Sequence, residues 1–194
     1  MAAPALARHA YEASPEDALR EIIRTKSYRK DQSFKLSSGV ASPYFFDMKR
    51  TMLDPEGATL IADIVAGRPE LKGAKAIGGL AMGAVPIVSV VCARSFERGE
   101  PIPGFFVRRE RKGHGTDKKI DGCDLREGDR VVLVDDVTTT GGSVMLAINA
   151  AREVGCVVDT VITLVDRLEG AKENLRAEGI ELVAIFTRDD FDRP

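Results

Sequence analysis

The stretch Val131-Val-Leu-Val-Asp-Asp-Val-Thr-Thr-Thr-Gly-Gly-Ser-Val144 decides the fold. Its first four residues are apolar without alternation, the pattern of a strand buried on both faces of a parallel sheet. Asp135 and Asp136 follow at the strand's carboxyl end. Val137, Thr138, Thr139, Thr140, Gly141, Gly142 and Ser143 come next, and then the helical spacing of Met145, Leu146, Ile148, Ala150, Ala151 and Val154. Open α/β sheets bind ligands beyond the carboxyl ends of their strands. A Gly/Thr/Ser turn at a helix start offers free N–H groups, hydroxyls and a positive dipole end, which suit a phosphate. The adjacent carboxylates repel each other, so a metal or hydroxyl-bearing ligand relieves them. The segment lacks the lysine of a Walker A loop and the spacing of G-x-G-x-x-G.

Outward from this element, strands and helices alternate. Ser14-Pro15-Glu16-Asp17 has the chemistry of a helix start, and Leu19, Ile22 and Ile23 give that helix its apolar stripe to about Lys26. Phe34 to Lys49 contains two strand-like pieces around a Ser/Gly/Ser/Pro turn, a predicted hairpin. Asp54-Pro55-Glu56 starts a second helix that runs to Gly67. A short strand over 74–80 leads into the glycine turn 78–83, and a helix is expected over 84–96. Phe105 to Arg108 is a strand, and 109–128 is expected to be a loop. Further strands are expected at 157–165 and 180–186, with a helix over 169–178 between them. The pattern predicts an α/β fold with a mostly parallel sheet flanked by helices. The 194 residues fit one domain, 1–194, without an internal repeat or linker.

Hydrophobic residues make up 44% of the chain and charged residues 30%, which describes an ordinary globular composition. No apolar run reaches the ~18 residues of a membrane span. The Ala-rich start, Met1 to Ser14, lacks the continuous apolar core of a signal peptide and reads as a frayed terminus. Cys92, Cys123 and Cys156 are odd in number and scattered, against a disulfide framework or a zinc site. With only His9 and His114 present, a histidine metal cluster is also not expected. A cytoplasmic setting is the expectation, with no membrane partner.

Charge is segregated. Arg108 to Lys119 carries +4 within a chain whose net charge is -2, leaving the remainder at -6. The Gly113-His114-Gly115 centre suits a mobile flap, about 109–122, that encloses a small polyanion. Nucleic acid is the poorer fit and is not expected as a partner, because the patch is short, lacks interleaved aromatics and sits on a net-acidic chain. The glycines at 78, 79 and 83 permit close backbone approach to a ligand, though helix–strand packing explains them equally. Acid pair, anion nest, glycine turn and basic loop together suggest a phosphorylated sugar bearing a second polyphosphate group.

On these residues the chain resembles the type I phosphoribosyltransferases. Val132-Leu-Val-Asp-Asp-Val-Thr-Thr-Thr-Gly-Gly-Ser143 is similar to their phosphoribosyl-pyrophosphate (PRPP) signature. Phe34-Lys-Leu-Ser-Ser-Gly-Val-Ala-Ser-Pro-Tyr-Phe-Phe46 resembles the N-terminal hood segment of the orotate-specific members. Arg108-Arg-Glu-Arg-Lys-Gly-His-Gly115 resembles their catalytic loop. The resemblance covers about Ser14 to Phe186 and implies a hood over about 14–50. It implies transfer of the 5-phosphoribosyl group from PRPP to orotate, with Mg²⁺ held mainly by PRPP and no direct side-chain ligand. Asp135 and Asp136 would face the ribose hydroxyls, and Thr138 to Ser143 would hold the 5′-phosphate. Arg108, Arg109, Lys112 and His114 would contact pyrophosphate. Phe45, Phe46, Thr139 and Arg167 would contact orotate. It also implies a homodimer in which part of the loop reaches into the neighbour's site. Ser37 and Ala81-Met82 stand where many members carry lysine and a Tyr-Lys pair. Transfer to another base, and a PRPP- or nucleotide-sensing regulator on the same fold, are the alternative readings.

Overall fold

A computed structural model describes residues 14–35, 41–110 and 119–192. Helix α1 (Pro15–Ile22) continues into a π-helical turn, Ile23–Ser27. Then come β1 (Tyr28–Lys35), β2 (Ala41–Phe46), α2 (Lys49–Met52), α3 (Pro55–Ala66), β3 (Ala76–Gly78) and α4 (Ala84–Glu97). The second half holds β4 (Phe105–Val107), β5 (Ile120–Gly122), β6 (Arg130–Thr138), α5 (Gly142–Glu153), β7 (Val157–Asp166), α6 (Ala171–Ala177), β8 (Glu181–Thr187) and α7 (Asp189–Asp192). Two helix starts form as their residues dictate. The Ser14 side chain accepts from the Asp17 N–H at 3.1 Å, and Asp54 accepts from the Gly57 N–H at 3.1 Å.

Strands β3, β6, β7 and β8 form a parallel sheet in the order β3-β6-β7-β8. Strand β4 lies beside β3, where the Ile77 N–H donates to the Pro103 carbonyl (3.0 Å) and the Val107 N–H to the Gly79 carbonyl (2.8 Å). Strand β5 pairs antiparallel with β4, so the loop expected over 109–128 contains a short strand. Three residues with one apolar side chain are too few to show a period. Strand β6 also runs past Val134: Asp135 pairs with Thr163, Val137 with Val165 and Thr138 with Asp166. The ladder is made by backbone groups, so polar side chains do not end it while the apolar partner β7 continues. The acid pair therefore stands within the strand and not beyond it.

The sheet is covered on both faces. Val132, Val134, Ile162 and Leu164 pack with Leu60, Ile61, Ile64 and Val65 of α3 and Ile87, Val88 and Val91 of α4. Val131, Leu133 and Val161 point the other way, into Val144, Ala147, Ile148 and Ala151 of α5 and Ala171 and Leu175 of α6. This alternation is what unbroken apolar strands require when both faces are buried. The hood hairpin β1–β2 joins the first of these cores through Tyr44 and Phe46. Helix α7, which the sequence pattern does not announce, adds Phe191 to the same cluster. The Phe191 ring sits 5.2 Å from that of Phe46 and 5.8 Å from that of Phe186.

Candidate active site

Strand β6 delivers both acids to the carboxyl edge of the sheet. Asp135 is 7% exposed, and Asp136 is partly buried. The Asp136 N–H donates to Asp135 Oδ1 at 3.1 Å, and the Val137 N–H donates to Asp136 Oδ1 at 3.0 Å. Burial first, and the Asp136 charge second, push the Asp135 carboxyl up to about 8. Burial raises Asp136 as well. Among the described residues neither carboxylate has an ion-pair partner. The fields of Arg109 on Asp135 and of Lys49 on Asp136 act in the opposite direction without neutralising the pair. Such a pair favours a ligand that brings hydroxyl donors or positive charge.

The glycine turn packs against this pair. A Cβ on Gly83 would lie 2.6 Å from Asp136 Oδ1 and 3.4 Å from Asp135 Oδ1. A Cβ on Gly79 would lie 2.3 Å from the Val134 carbonyl oxygen. Close approach to the acid-bearing strand thus explains two of these glycines, a reading that glycine content alone left open. The turn also carries Ala81 and Met82, whose peptide bond is cis, and Met82 is 73% exposed.

The anion nest forms at the start of α5. Gly141 takes a left-handed conformation (φ 84°), and among the described residues no side chain caps the helix N-terminus, so the amides of Gly142, Ser143 and Val144 are open to a ligand. Asn174 Nδ2 donates to the Thr140 carbonyl at 2.9 Å and pins the loop from α6. Thr139 is partly buried, and Thr140, Gly142 and Ser143 are exposed. Thr138 differs from its neighbours: it is 1% exposed, with Oγ1 3.5 Å from Asp166 Oδ1. Its hydroxyl supports the β6–β7 pairing, and the polar groups of the motif left open to a ligand lie in 139–143.

Of the basic loop, Arg108 and Arg109 are described, while Lys112 and His114 lie outside the described residues. Arg109 Nη2 reaches Ser143 Oγ at 3.4 Å, which places a guanidinium over the nest. Arg108 pairs with Asp121 of β5 and lies 5.6 Å over the Phe106 ring, so it braces the β4–β5 hairpin.

Arg167 follows β7 on the other side of the acid strand, and its N–H donates to the Thr138 carbonyl at 2.9 Å. The side chain is 3% exposed. Its Nε contacts Glu169 Oε1 at 3.0 Å, its Nη2 contacts Ser42 Oγ at 2.9 Å, and its Cζ lies 4.5 Å over the Tyr44 ring. The hood thus reaches the site through Ser42 and Tyr44. Phe45 is partly buried on the opposite face of β2 from Phe46. The Phe46 ring is 5% exposed and packed 4.9 Å from Tyr28, so it contributes to the core beneath the hood. Strand alternation in Tyr44-Phe45-Phe46 carried that distinction. Ser42, Tyr44, Glu169 and Lys49 escaped the sequence reading, because their roles come from contacts across more than a hundred positions or from a short helix, α2.

The phosphoribosyl transferase domain family matches residues 50–178. An orotate phosphoribosyltransferase of Bradyrhizobium sp. (strain BTAi1) is 44% identical over 176 residues, 89% of this chain and 95% of that one. An orotate phosphoribosyltransferase of Methanocaldococcus jannaschii is 44% identical over 154 residues, covering 79% of this chain and 84% of the relative. The solved structure of Mycobacterium tuberculosis orotate phosphoribosyltransferase in complex with PRPP superposes with a TM-score of 0.74 at 31% identity, over 93% of this chain and all of that one. A sheet carrying its acid pair, nest and glycine turn at one edge, and relatives matched over most of both chains, place this chain in the orotate phosphoribosyltransferase family of phosphoribosyl transferase domain proteins.

Proposed function

We propose that the protein transfers the 5-phosphoribosyl group of PRPP to orotate, giving orotidine 5′-monophosphate and pyrophosphate in pyrimidine nucleotide synthesis. The observation that carries this reading is the buried acid pair set between an open anion nest and the glycine turn. Asp135 and Asp136 accept hydrogen bonds from the two ribose hydroxyls. The amides and hydroxyls of 139–143 hold the 5′-phosphate. The bond from C1 of the ribose to pyrophosphate breaks with its electron pair leaving on oxygen, and the orotate ring nitrogen forms the new bond to C1 while its N–H proton passes to the departing pyrophosphate. Arg108, Arg109, Lys112 and His114 are assigned to the leaving group, where fixed cations stabilise the charge it gains. Orotate is an anion, and Arg167 offers it a cation, with Phe45 and Thr139 alongside.

Mg²⁺ is the assigned cofactor. The acid pair suits it without ligating it directly: two carboxylates whose proton affinity burial has raised favour nearby positive charge. Bound with PRPP, it would supply positive charge on the pyrophosphate side. The protein acts as a homodimer, in the cytoplasm, with part of the basic loop serving the neighbouring site. No helix among the described residues is long and apolar enough to cross a membrane. The test is spectrophotometric: orotate absorbance falls when PRPP and Mg²⁺ are added to purified protein, and adenine or hypoxanthine does not replace orotate. No loss of orotate under varied metal and pH overturns the assignment.

A further inference from the structure

We infer that Glu169 sets the affinity of the base pocket by competing with the acceptor's carboxylate for Arg167, an inference that rests on the orotate reading above. Arg167 is buried, so its charge needs a partner whether or not a base is bound. Glu169 supplies one. Its Oε1 takes Nε at 3.0 Å and Nη2 at 2.9 Å, the fork edge that a substrate carboxylate would grip with two bonds. Tyr44 Oη donates to the same oxygen at 2.6 Å and fixes the carboxylate in that place. Ser42 Oγ takes a further hydrogen bond from Nη2, and the Tyr44 ring covers one face of the guanidinium. The Nε/Nη2 edge of Arg167 and one face of its guanidinium are therefore already engaged by the chain itself.

The neighbouring charges do not alter this balance. Arg188 lies 5.8 Å from the Tyr44 ring, but Asp189 at 3.0 Å and Asp192 at 3.8 Å balance it. Asp166 points its Oδ1 to the Leu168 N–H at 3.0 Å and to Thr138. An incoming carboxylate either displaces Glu169 from the fork edge or binds at the remaining edge against its repulsion. The pocket is thereby closed to small anions such as free phosphate, which bring too few other contacts to overcome the built-in competitor. A ligand with a ring to stack and a carboxylate to offer can do so.

The experiment measures steady-state kinetics of the Mg²⁺-supplied full-length protein and of Glu169→Gln. Glutamine keeps the acceptor for Tyr44 and Arg167 and removes only the charge. KM for orotate should fall roughly fivefold, the size of one partly exposed charge pair, while KM for PRPP stays unchanged. Inorganic phosphate should become a competitive inhibitor against orotate in the variant. Glu169→Asp, which withdraws the charge by one methylene, should shift KM in the same direction and decides the matter if Glu169→Gln does not fold. An unchanged or raised KM for orotate, in a variant that melts like the wild type, overturns the inference and makes Glu169 a positioning residue. Wild-type protein that consumes no orotate instead overturns the reading on which the inference rests.

Discussion

At Gly83 a single missing carbon keeps the glycine turn and the acid pair in contact. A methyl group there would sit 2.6 Å from Asp136 Oδ1, inside any permissible contact distance, and the carboxylate is held in place by the Val137 N–H. Gly83→Ala should therefore move the acid pair more than it unfolds the protein. KM for PRPP should rise at least about tenfold with a stability loss near 1 kcal/mol, since a local overpacking strain of this size is typical. Calorimetric PRPP titration and urea unfolding check the two halves. Asp135 offers a second test. Its carboxyl binds a proton more tightly folded than unfolded, because burial raises it to about 8. The stability it contributes is full below the unfolded carboxylate value, about 4, and is lost as pH rises through the raised value. Asp17, Asp54, Asp159 and Asp192 are lowered by their partners and run the other way, so the comparison must be between variants. Ligand-free Asp135→Asn should melt about 5 °C above wild type at pH 8.5, with the gap closing toward pH 4. Scanning calorimetry across that range, with parallel melting curves as the refuting result, settles it. The acids themselves were legible in the sequence because an Asp-Asp pair beside a hydroxyl-rich turn is chemically unusual. Their contact with Gly83 was not, since it joins segments about fifty positions apart.

Among the elements, β6 and α5 form as their residues require, whereas the ends of the chain cooperate in a way local pattern does not reveal. Helix α7 is four residues long and mostly acidic, too short to carry a period. Its importance comes from one side chain, Phe191, 4% exposed and packed 5.9 Å from Tyr28 and 5.2 Å from Phe46. Tyr28 Oη also donates to Asp192 at 2.7 Å. The hood hairpin, with Ser42 and Tyr44 facing Arg167, is thus fastened from below by the last helix. Phe191→Ala should cost about 3 kcal/mol in urea unfolding, the lower range for a buried aromatic. KM for orotate should rise more than KM for PRPP, because β2 carries Ser42 and Tyr44, the contacts of Arg167, on the proposed base side. Equal rises in both would place the effect in the sheet and not in the hood. Strand β5 is a further element missed: it has one apolar residue, and its pairing is set by β4, Arg108 and Asp121.

For the whole molecule, a mostly parallel sheet flanked by helices followed from alternating strand and helix patterns, whereas the order β3-β6-β7-β8 is set by pairings between distant segments. The proposed sharing of each site between two copies is written in no single stretch. The assignment of acid pair to one subunit and basic loop to its neighbour has a consequence that a monomeric site cannot imitate. Lys112→Ala should lower turnover by about two orders of magnitude while leaving PRPP affinity within about threefold, because the loop acts mainly on the departing pyrophosphate. Asp135→Asn should be impaired in the ribose contact instead. Each variant alone makes dimers with two defective sites. When the two are mixed and allowed to exchange subunits, a mixed dimer has one site with an intact acid pair from the first subunit and an intact loop from the second. Half of the dimers are mixed at random pairing, and each has one whole site of two, so activity should recover to about one quarter of wild type. If loop and acid pair belong to the same subunit, every site in the mixture keeps one defect and no activity returns. Refolding the variants together from urea, followed by the orotate absorbance assay, distinguishes these outcomes directly.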